Sequence, residues 1–189
     1  MVDDQTRRRT RRGIAPLLAL AGVVVLLAAG CGKSADQKAN EAYANSVCTA
    51  IAGWKTQVKS IATDLSGGIS QATFQSKVTQ VESATKSVVT QIQAIPPPDT
   101  SQGQATKQQL DQLSAELKTT AASVKTASAA LPADASAGTV AVAVLALAPQ
   151  VKSLATTAQS TITALQSSKG ALSSAFKSTD SCKSVSSSG

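Results

Sequence analysis

The sequence predicts an all-α protein: an up-down-up-down antiparallel four-helix bundle with a short C-terminal segment, set behind a basic and apolar N-terminal stretch. Three observations carry that prediction. The chain is rich in Ala, Ser, Thr, Gln and Lys, with only 2% aromatic residues. Its Gly and Pro residues break it at a few places, notably Gly67-Gly68, Pro96-Pro97-Pro98 and Pro132. Between these breaks the apolar positions recur in helical steps of three and four.

The first helix is expected over Ala35 to Ser66. Its apolar positions Ala44, Val47, Ile51, Trp54, Val58, Ile61 and Leu65 form a coiled-coil-like a/d seam sustained for three heptads. Gly67-Gly68 stops it. The second runs from about Ser70 to Ile95, with Phe74, Val78, Val81, Thr85, Val88, Ile92 and Ile95 on the seam. Glu82 and Lys86 make a favourable i,i+4 pair on its surface, and Pro96-Pro97-Pro98 ends it. Ser101 and Gln104 have the spacing of a capping box for the third helix. Its seam reads Leu110, Leu113, Leu117, Thr120, Val124, Ala127 and Leu131, before Pro132.

The fourth element is less regular. Thr139 to Ala148 is almost wholly apolar with valines on alternate positions, a pattern that a buried strand shares. Ten residues are too few to span a bilayer, and no partner strand is apparent. The seam continues through Leu147, Val151, Leu154, Ala158, Thr161 and Leu165, which favours one helix kinked at Pro149. A short segment from Leu172 to Cys182, carrying Phe176, folds back as a partial helix. The serine-rich residues 184–189 are expected to form a flexible tail.

At the N-terminus Arg7, Arg8, Arg9, Arg11 and Arg12 precede the apolar stretch Ile14 to Ala29, which ends in Ala28-Ala29-Gly30-Cys31. Charge, then apolar run, then small residues is the order of a secretory signal peptide. The small residues followed by Cys31 resemble the lipobox of bacterial lipoproteins. Ala28 stands where that family usually has leucine, and Leu27 sits one step earlier. The resemblance implies a diacylglycerol on the Cys31 sulfur, cleavage before it, and often a further acyl group such as palmitate on the new amine. The alternative is an uncleaved anchor, for which the 17 residues from Ile14 to Gly30 are at the short limit. Either way the arginines stay cytoplasmic and the rest of the chain lies outside. Arg11-Arg12 also fits a twin-arginine signal, although paired arginines are common in any basic leader.

The expected divisions are therefore residues 1–30 as signal peptide, 31–38 as lipid-anchored tether, 39–183 as the bundle and 184–189 as tail. With Cys31 lipidated, Cys48 and Cys182 remain as an even pair in an exported domain, where disulfides persist. Four antiparallel passes return the chain end to the level of the start of the first helix, so the two cysteines should meet and bond.

Residues 31–189 hold 13 lysines, nine acids and no arginine. The absent arginine argues against nucleic acid as a partner, because arginine supplies the bidentate phosphate clamp. The whole chain has no histidine, which removes the usual general base and the commonest metal ligand. No serine-nucleophile motif, paired carboxylates or EF-hand pattern is present. No enzyme activity, cofactor or metal is expected. A pocket between helices would involve Trp54, Thr85 and Thr120, although space-filling by Trp54 and hydrogen bonds from threonine to the preceding turn are the simpler roles. Tyr43 is expected either at a lipid interface or packed near Phe176.

In composition and architecture the chain resembles the small helical lipoproteins of actinobacterial envelopes, with the specific motif confined to the signal and Cys31. The resemblance implies a secreted protein, lipid-anchored on the extracytoplasmic face of the cell membrane. The expected role is a non-enzymatic interaction or scaffold module with an envelope protein as partner. The alternative is a small-molecule or lipid-binding bundle.

Overall fold

A computed structural model describes residues 33–65 and 69–187, which fold as six α-helices with no strand among the described residues. The expected signal peptide 1–30, Cys31 and the expected Gly67-Gly68 stop lie outside the described residues. The helices are α1 (Ala35–Leu65), α2 (Gln71–Ala94), α3 (Ser101–Ala129), α4 (Ala137–Ser167), α5 (Ala171–Ser178) and α6 (Asp180–Ser187). α2 packs on α1 and α3, α3 on α4, and α4 on α1, while α5 and α6 lie against α1 and α4.

Local chemistry sets each boundary. Ser34 Oγ accepts from the Gln37 N–H at 3.2 Å and Gln37 Oε1 accepts from the Ser34 N–H at 3.0 Å, a reciprocal capping box. Helix α1 therefore starts inside the expected tether 31–38, whose last four residues are helical. Ser70 and Ser136 cap α2 and α4 through the N–H groups of Thr73 and Thr139. For α3 the cap is Thr100, accepting from the Gly103 N–H at 3.0 Å, rather than the expected Ser101–Gln104 box. Gly103 fits there because a side chain would run into the Pro98 carbonyl. α4 passes through Pro149 as one helix, which excludes the strand alternative. Pro149 lies on the exposed face, where water can reach the Leu145 carbonyl left without its i+4 donor.

The core is built from the seams. All seven seam residues expected for α1 are buried, joined by Tyr43 and Cys48. On α2 Ile95 is only half-buried and Val89 is buried as well. Later seams slip by one residue. Thr120 and Ala127 give way to Ala121 and Ser128 on α3, and Thr161 gives way to Ile162 on α4. A strict heptad drifts about 20° per repeat against a 3.6-residue turn. Small side chains offer no apolar contrast to reveal the slip.

The tail also departs from expectation. Residues 184–187 belong to α6 and Val185 is buried, so they are docked helix rather than a flexible tail. Gly170, at φ 111°, supplies the left-handed turn between α4 and α5.

Glu82 on α2 takes Lys86 and Lys125 on its two carboxylate oxygens, both at 2.7 Å. Hydrogen bonds from Lys125 and Lys86 hold its carboxyl below the usual glutamate range. The carboxylate therefore stabilises the fold above the ordinary glutamate pKa, and that contribution disappears as pH falls through the lowered value. Glu82→Gln should cost about 0.5–1 kcal/mol at neutral pH. Urea titrations of variant and parent at a series of pH values should converge in acid.

Candidate functional site

The C-terminal helices build one side of the molecule onto α1. Cys48 on α1 and Cys182 on α6 are fully buried, with sulfurs 2.06 Å apart, Cα atoms 4.9 Å apart and a sequence separation of 134. Beside them Tyr43 meets Phe176 edge-on, ring centroids 6.3 Å apart at 89°. Of the two expected positions for Tyr43, packing near Phe176 is the one observed. Burial, with a smaller contribution from the Asp111 carboxylate, pushes the Tyr43 hydroxyl up to about 12. Further along α1, Lys55 Nζ donates to the Val185 carbonyl at 3.1 Å and to Gln159 Oε1 at 3.2 Å. The Gln159 amide donates in turn to the Ser186 carbonyl at 2.8 Å. Burial first and the charge of Lys59 second lower the Lys55 pKa.

The three residues expected at a pocket separate into different roles. Trp54 is 3% exposed, and its indole N–H donates to Thr85 Oγ1 at 3.2 Å. Thr85 is fully buried and donates to the Val81 carbonyl at 2.8 Å. Thr120 is half-buried on α3 and joins neither. Trp54 and Thr85 thus form a closed polar contact inside the α1–α2 seam, the space-filling role that tryptophan usually takes when its N–H finds a partner. Thr85→Val keeps the shape but leaves the indole N–H unpaired. It should cost about 1–3 kcal/mol in a urea titration, whereas Thr85→Ser should restore most of the loss.

Among the grooves along α1, two bear on the expected pocket and on α4. One, of about 550 Å³ between α1 and α2, exposes an edge of Trp54 among polar side chains including Asn45, Thr49, Gln57 and Gln91. The other lies between α1 and α4 and is apolar, about 720 Å³, lined by Leu65, Ile69, Val140, Val144, Leu145 and Val151 among others. Periodicity did not mark this second groove. Its signal was the uncharged run of residues 135–151, which a buried helix would show equally. Helix α4 is long and apolar enough to cross a membrane by length and composition, and only 22% of its most apolar window is buried. Among the described residues no three His, Cys, Asp or Glu side chains gather as a metal site.

No protein-family model, curated protein or solved structure matches the chain.

Proposed function

We propose that the chain is a lipid-anchored envelope lipoprotein, held at the extracytoplasmic face of a cell membrane by acyl chains on Cys31. Its helical domain serves as a non-enzymatic interaction or scaffold module for an envelope partner. The observation that carries this reading is the Cys48–Cys182 pair. A disulfide persists outside the reducing cytosol, in agreement with the basic and apolar leader, and it leaves Cys31 as the one remaining cysteine of the chain. That cysteine directly follows Ala28-Ala29-Gly30. One acyl chain binds a membrane marginally and two give stable residence, so the mechanism is positional.

The finer fold assignment is an up-down-up-down bundle of α1 to α4. Cross-helix pairs support it. Trp54 meets Thr85 and Asp64 meets Lys77, so partner numbers on α2 fall as those on α1 rise. Glu82 meets Lys125 while Gln71 reaches the Pro132 carbonyl beyond the end of α3, the same sense for α2 and α3. Short connections between long helices favour antiparallel neighbours.

The test is the intact mass of membrane-extracted protein, measured without reductant beside Cys31→Ser. Loss of residues 1–30 with added acyl mass, abolished by the substitution, is the expected result, together with a deficit of about two hydrogens for the bridge. An unprocessed and unacylated mass would overturn the lipoprotein reading in favour of an uncleaved anchor.

A further inference from the structure

The groove between α1 and α4 changes character along its length. From Leu65, Ile69 and Val140 through Val144 and Leu145 to Val151 it is an apolar cleft of about 720 Å³, inside the usual range for ligand sites of about 300–1,000 Å³. Leu145 is 74% exposed and the neighbouring Val142 67%. Through Ala62, Ala148 and Val151 the cleft continues into a second space of about 340 Å³, where Lys55, Lys59 and Lys152 stand together. Among the described residues no carboxylate lines either part.

Lys59 and Lys152 carry the free charge of this end. Among the described residues neither Lys59 nor Lys152 takes part in an ion pair. Lys55 is held by Gln159 and the Val185 carbonyl, and burial first and the Lys59 charge second lower its pKa. An apolar trough that opens onto the Lys59 and Lys152 ammonium groups is complementary to a molecule with a hydrocarbon body and an anionic head. Two copies of the groove set face to face would offer these lysines no carboxylate. From Val140 to Val151 the apolar part runs about 16 Å at 1.5 Å per residue, suited to an extended medium-length acyl chain.

We propose that the α1–α4 groove binds a fatty acid, its chain lying between Val140 and Val151 and its carboxylate directed to Lys59 and Lys152. This site is independent of lipidation at Cys31, and either assignment can fail without the other.

The experiment presents a diazirine-bearing fatty acid to the full chain in phosphatidylcholine vesicles and maps the photolabelled peptides. Label is expected in residues 62–65 and 137–151. Unlabelled laurate should compete with it, and dodecyltrimethylammonium, with a chain of the same length and the opposite charge, should not. Leu145→Asp, an exposed position whose change leaves the core intact, should reduce labelling by about tenfold or more. Lys59→Gln/Lys152→Gln should do the same for the acid while leaving a diazirine alcohol unaffected. Equal competition by the cationic amphiphile, or labelling indifferent to the lysines, would overturn the proposal. So would equal labelling of 137–151 by a photoreactive phosphatidylcholine in the vesicle, which would assign the face to the bilayer. A concentration-dependent dimer that Leu145→Asp abolishes, with no fatty-acid labelling, would assign it to a second copy.

Discussion

Replacing Cys48 and Cys182 together by alanine should lower stability by about 4–5 kcal/mol, the chain-entropy value for a loop of this size. The bond joins residues 134 apart in sequence, from the first long helix to the last short one. Its removal releases nearly the whole domain's worth of unfolded conformations. Alanine is the cleaner replacement, because both sites are fully buried and serine would add the cost of an interior hydroxyl. At roughly 2–4 °C per kcal/mol for a domain of this length, the melting temperature should fall by about 10–20 °C. Reducing the parent protein should reproduce the shift, which calorimetry with and without reductant would check. A loss under about 1 kcal/mol would mean that strain in the bonded state offsets the entropy.

Phe176→Ala should rank next, with an expected loss of about 3–5 kcal/mol. The ring is fully buried on α5 and its edge-on contact with Tyr43 adds a geometric term of about 0.5–1.5 kcal/mol. A helix of eight residues has little stability of its own, so α5 depends on this anchor. Phe176→Leu should recover more than half of the loss by refilling most of the cavity. Urea titration gives the size of the effect, and hydrogen exchange gives its location: faster exchange should concentrate in α5 and α6 while the core of α2 and α3 stays protected. Combined with the cysteine replacements the effects should exceed their sum or fall short of it rather than add, because both act on the docking of one segment.

The same residues show how far periodicity reaches. The α1 seam was legible in full because Val, Ile, Leu and Trp alternate there with polar residues, and burial follows that contrast. The proline signals placed the ends of α2 and α3 to within a residue or two, since Pro ends a helix by lacking an N–H, whereas the α3 cap fell on Thr100 rather than on the expected Ser101. Where the seam passes through Thr120, Ala127 and Thr161 the pattern lost its footing. Each buried position lies one residue later, in the direction that a 3.6-residue turn slips against a seven-residue repeat. The capping box at Ser34 and Gln37 and the turn at Gly170 were both visible as motifs, but only after the helix ends were known.

The candidate sites divide in the same way. The Cys48–Cys182 pairing followed from counting cysteines and passes of the chain. Trp54 and Thr85 were legible as seam residues, but their mutual hydrogen bond required their register across two helices. Val185 stands among serines that read as tail, and its burial depends on Lys55 and Gln159, which reach across from α1 and α4 to hold the backbone beside it.

The amino-acid sequence by itself determined the helical class, the breaks between helices, the a/d core of α1 and the cysteines able to pair, because each depends on near neighbours or on simple counting. Only the tertiary structure decided that Val142 and Leu145 face outward and that Lys59 and Lys152 gather at the end of an apolar groove. Burial and local charge balance are sums over residues distant in sequence, and an uncharged helix reads the same whether or not another helix covers it.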